Sequence, residues 1–63
     1  MTMGTHAVKV RLPSGKRWDF LTPDGGTTHL RIHAATMSEE RATQLAAEIP
    51  ANNDGVQAKA VKL

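Results

Sequence analysis

Apolar and polar residues alternate over residues 7–12, with Val8, Val10 and Leu12 in one phase and Ala7, Lys9 and Arg11 in the other. A period of two is that of a half-buried strand. The segment Pro13-Ser14-Gly15-Lys16 then reads as a turn, with Pro closing the ladder and Gly supplying a left-handed position. Residues 17–22, rich in Trp18 and Phe20, predict a second strand and complete a hairpin. A second turn follows at Pro23-Asp24-Gly25-Gly26, where Asp can close an Asx-turn. Over residues 27–35 the alternation returns, with Leu30, Ile32 and Ala34 opposed to His29, Arg31 and His33. The pattern predicts a third strand and an antiparallel meander.

The period changes after Thr36. Ala42, Leu45, Ala46 and Ile49 fall at i, i+3, i+4 and i+7, one stripe of an amphipathic helix. Thr36 with Glu39 fits a capping box, but Ser38 as N-cap places Glu39 and Glu40 in the first turn and is preferred. Pro50 is expected to stop the helix, because a residue before proline avoids the α region. Asn52-Asn53-Asp54-Gly55 forms a loop, and residues 56–63 predict a fourth strand. Its apolar residues change phase at Val61 and Leu63, so its inward face stays open. The order βββαβ predicts an α+β domain, a mainly antiparallel four-stranded sheet with one helix on one face. One helix covers one face, so the other is wet or covered by another chain.

A chain of 63 residues makes one domain, with residues 1–5 expected to be flexible. At this size about 60% of the unfolded surface is buried, which is marginal for a lone monomer. Hydrophobic residues at 40% and charged residues at 22% place the chain among globular domains. The absence of Cys excludes disulfides, thiolate metal sites and cysteine nucleophiles. No apolar run is long enough for a bilayer, and no signal-peptide apolar region follows Met1. A cytoplasmic location and no membrane partner are expected.

The net charge of +2 hides a polarity. Lys9, Arg11, Lys16, Arg17 and Arg31 stand against Asp19 and Asp24 in the first half. The helix and its loop carry Glu39, Glu40, Glu48 and Asp54 against Arg41, and the last strand adds Lys59 and Lys62. If Val8, Val10, Leu30 and Ile32 face the helix, then Lys9, Arg11, His29, Arg31 and His33 share the open sheet face. Such a face suits phosphates or an acidic protein patch. It equally suits a sheet that only needs to stay soluble.

His29 and His33, four apart on a strand, would sit about 13 Å from each other and could not share an ion. His6 offers a second ligand but no third is at hand, so no metal is expected. Gly15-Lys16 leads into a strand and lacks the upstream Gly of a phosphate loop. Ser14 or Ser38 with any His and Asp gives a triad only on paper, with no nucleophile elbow or oxyanion hole. Trp18 and Phe20, the only aromatics, are expected in the core because so small a domain needs their volume. Facing outward beside Arg17 they would form a stacking platform.

Residues 8–12 (Val-Lys-Val-Arg-Leu), 18–22 (Trp-Asp-Phe-Leu-Thr) and 38–42 (Ser-Glu-Glu-Arg-Ala) together resemble small phage and prophage proteins, with a strand-rich first half, one Ala-rich helix and a last strand. The resemblance implies a class, accessory proteins that bind and disable a larger host machine, anti-CRISPR proteins among them. The expected function is that of a non-enzymatic inhibitor without cofactors, bound to a host protein or protein–nucleic-acid complex. Its contacts would be Lys9, Arg11, His29, Arg31 and His33 on the sheet, or Glu40 and Glu48 on the helix. The alternative is a nucleic-acid-binding module using the basic sheet. The apolar last strand also suits edge pairing into a homodimer.

Overall fold

The computed structural model describes residues 4–63; residues 1–3, and with them most of the expected flexible start, lie outside the described residues. Strands β1 (His6–Arg11), β2 (Asp19–Leu21), β3 (Thr27–Thr28) and β4 (Gln57–Lys62) form one sheet in the order β3-β2-β1-β4. Every pairing is antiparallel. Helix α1 (Glu39–Asn52) packs on β1 and β4. The chain is therefore an α+β domain with one helix on one face of a four-stranded sheet, as its pattern predicts.

Residues directly opposite in an antiparallel pair project from the same face. Val8 faces Ala60 and Val10 faces Ala58, and all four lie under α1 around the buried Ala42. This register settles the last strand: Ala58 and Ala60 point to the helix, while Val61 pairs with Ala7 on the far side. Small side chains on both partners let the helix approach closely. Leu21, Met37, Leu45, Ile49 and Val56 close the edges of this core.

The third strand is much shorter than its alternation suggests. Only Thr27 and Thr28 pair, with Leu21 and Phe20. The Thr28 hydroxyl then accepts the Leu30 amide at 3.1 Å, which turns the chain off the sheet into a 3-10 turn at Arg31–His33. The chain must return to β1: Ala35 N–H donates to the Leu21 carbonyl, and Met37 pairs with His6. Leu30 and Ile32 are consequently not core residues, and Ile32 is 85% exposed. Leu12, expected in phase with Val8 and Val10, lies past the strand end and is also exposed.

Three local expectations change. Trp18 and Phe20 are not under the helix; the inward residues of that segment are Asp19, opposite Val10, and Leu21. Pro50 does not stop α1, which runs two residues further and ends where the Asn53 side-chain amide donates to the Ile49 carbonyl at 2.9 Å. Pro50 lies in the last turn, where its missing N–H removes only one bond and its ring is exposed. The first turn closes through the Gly15 amide on the Leu12 carbonyl without a left-handed glycine; positive φ occurs at Gly25 (90°) and Gly55 (79°). Ser38 caps the helix, accepting the Arg41 amide at 3.2 Å.

Candidate binding face

The pairing register assigns the uncovered face residue by residue. Lys9 lies opposite Phe20 on one side and opposite Lys59 on the other. Phe20 in turn faces Thr28, and Arg11 faces Gln57. The sheet therefore presents a row of Thr28, Phe20, Lys9 and Lys59, with Arg11 and Gln57 beside it. Trp18 joins this face, because the Lys59 Nζ stands 4.4 Å from the centroid of its ring. The Lys9 Nζ stands 5.1 Å from the centroid of Phe20. Lys59 reaches Trp18 across β1, a span of about 10 Å between β4 and β2 that a lysine stem covers by lying along the sheet. At the end of the sheet marked by the start of β1 this side is not open: Ala7, paired with Val61, is fully buried.

Lys9, Lys59 and Arg11 are the charges of this face, and none of the described strand residues on it is acidic. The acid of β2, Asp19, sits on the helix side opposite Val10. Two ammonium groups over two rings are held by the negative faces of the π-systems, worth about 0.5–1 kcal/mol each at exposed sites.

The expected contact residues separate into three groups. Lys9 and Arg11 lie on the open face. His29, Arg31 and His33 do not: the turn at Leu30 carries them off the sheet, and all three are exposed around the 3-10 segment. Glu40 and Glu48 lie exposed on the outer side of α1. His29 and His33 do not lie on a strand, so the strand spacing of about 13 Å does not hold between them. Among the described residues no group of three or more His, Asp or Glu is placed to hold an ion, and no cavity opens. No described helix is long and apolar enough to cross a membrane.

Sequence reasoning missed Lys59 as a partner of Lys9 and placed the rings on the wrong side. Alternation in Trp18-Asp19-Phe20-Leu21 divides the residues into two faces without saying which is inward. The signal lies in the register, which pairs Phe20 with Lys9 once Val8 and Val10 are taken as the inward set.

His6 ties helix and sheet together. Its Nδ1 is 2.8 Å from the Thr5 hydroxyl, and its Nε2 is 3.4 Å from a carboxylate oxygen of Glu39 in the first turn of α1. The edge turn is organised around Asp24, whose carboxylate accepts the Thr22 hydroxyl and the Gly26 amide. These bonds hold its carboxyl below the ordinary aspartate range, the Thr22 hydroxyl contributing most. No family model, curated protein or solved structure matches the chain.

Proposed function

We propose that the chain is a small non-enzymatic binding protein that works through the open face of its sheet, against a partner presenting negative charge. The observation that carries this is the placement of Lys9 and Lys59 directly across from one another on a face without a carboxylate among its described strand residues. Like charges directly opposite destabilise a sheet by up to about 1 kcal/mol. A face that only needed solubility is better served by alternating signs. Backbone amide shifts during titration with heparin and with poly-glutamate test the proposal. Shifts should concentrate in β1, β2 and β4, and the double substitution Lys9→Glu with Lys59→Glu should abolish them. Absence of saturable binding, or shifts centred on Glu40 and Glu48, would overturn it.

A second role, that of a phage-type accessory protein disabling a larger host complex, is favoured by a different observation. Leu30 and Ile32 are 45% and 85% exposed and flank Arg31, outside the sheet. Apolar side chains with an arginine are the composition of a protein-interface anchor. In this role the loop would grip a protein while the sheet face meets its acidic surface or bound nucleic acid.

A further inference from the structure

We infer that the ligand of the open face is a single-stranded nucleic acid whose bases stack on Trp18 and Phe20 while Lys9, Lys59 and Arg11 take its phosphates. This rests on the open face being the working surface and adds the chemical class of its partner.

The domain keeps its aromatic side chains out of the core under the helix. Among the described residues the fully buried ones are Ala7, Val8 and Ala42, with Val10 nearly so, and the partly buried core members are aliphatic. The two largest apolar side chains of the sequence are instead on the uncovered face. Burying an aromatic is among the largest stabilising contributions open to a small domain. Both rings are only partly buried where they stand. A polyanion without bases would be served by the cations alone, so charge complementarity does not account for the rings.

The geometry fits bases. Trp18 and Phe20 are two residues apart on one side of an extended segment, about 7 Å. Each ring is already approached from its face by an ammonium group, at 4.4 and 5.1 Å from the centroids. Each ring residue is also partly exposed, so the group covering its face is a mobile lysine end rather than packed core. A base that stacks on a ring displaces that ammonium toward the strand's backbone, where it meets a phosphate. Aromatics on an open sheet flanked by Lys and Arg are how single strands are bound without a need for base-edge readout. A duplex keeps its bases stacked within itself and cannot use the rings.

The test uses the whole chain and four probes: a thymidine oligomer about ten nucleotides long, an abasic oligomer with the same phosphate chain, a duplex of the thymidine oligomer with its complement, and heparin. Trp18 is the only tryptophan, so its fluorescence reports directly on that ring. The thymidine oligomer should quench it and bind about tenfold or more tighter than the abasic oligomer. Trp18→Leu and Phe20→Leu should each weaken thymidine-oligomer binding by about tenfold and leave abasic-oligomer and heparin binding unchanged. Measurements on the unsubstituted chain decide the matter even where a variant fails to fold. Equal affinity for the base-bearing and abasic oligomers, or tighter binding to duplex than to single strand, would overturn the stacking inference and leave the polyanion-binding face standing. No binding to any of the four would overturn both.

Discussion

Lys9 and Lys59 are directly opposed across β1 and β4, yet each ammonium group leans over a different aromatic ring, Lys9 over Phe20 on the neighbouring strand and Lys59 over Trp18 on the far side of β1. The rings thus relieve part of a repulsion that the register imposes. Lys59→Glu replaces the repulsion with an attraction and loses one ammonium–ring contact. Stability should be unchanged or raised by about 0.5 kcal/mol, measured by urea unfolding, while affinity for polyanions falls. A loss above about 1 kcal/mol would mean that the ring contacts support the fold rather than the site.

The helix–sheet interface is built for small side chains. Ala42 is fully buried against a core that includes Ala58 and Ala60. Ala42→Leu adds volume with no space to receive it and should destabilise by about 1–3 kcal/mol. Leu45→Ala, at the partly buried edge of the same interface, should cost about 2 kcal/mol. On a domain this size either change should lower the thermal midpoint by several degrees, on the order of 5 °C or more. A midpoint unmoved by Ala42→Leu would show that the helix can ride outward on the sheet.

Local periodicity revealed the strand β1, the capped helix and the hairpin turns, because each is specified by residues close in sequence. Ser38 needs only the amide of Arg41, and the alternation of Val8 and Val10 needs only a covered face. What periodicity could not supply was the extent of β3. Residues 29–34 alternate as well as any strand, but a single bond from Leu30 to Thr28 and the need to bring Met37 to His6 take them off the sheet. The site suffered the same limit. The strand of Lys9 and Arg11 is enough to place them on the open face, whereas placing Arg31 there needs a third strand that runs on past Thr28, where β3 ends. Trp18, Phe20 and Lys59 acquire a common face only through pairing between strands.

The Thr22–Gly26 turn gives a pH dependence with a definite sign. Bonds from the Thr22 hydroxyl and the Gly26 amide hold the Asp24 carboxyl below its ordinary value. A carboxyl depressed on folding contributes stability that is present above its unfolded pKa of about 3.9 and is lost as the pH falls through the lower folded value. Asp24→Asn should therefore be less stable than the unsubstituted chain at neutral pH, and the difference should shrink below about pH 4. Thermal unfolding of both forms across pH 2–7 measures it. A difference independent of pH would show that the bonds to position 24 stabilise the turn without the carboxylate charge.

Ile32 separates the two binding roles. At 85% exposure it contributes little to the fold, so Ile32→Ser should leave stability within about 0.5 kcal/mol of the unsubstituted chain. The residue is off the sheet, in the 3-10 turn between Leu30 and Ala34, so the substitution should also leave polyanion binding by Lys9, Lys59 and Arg11 intact. If the chain disables a host protein complex through this loop, capture of that complex should fall with Ile32→Ser by about tenfold or more, the range of an interface anchor worth 2 kcal/mol or so. Lys9→Glu should weaken the same capture mainly through association rate and salt dependence, as a charge at the rim does. Normal capture by Ile32→Ser, together with loss on Lys9→Glu, would leave the open sheet face as the sole contact and remove the loop from the mechanism.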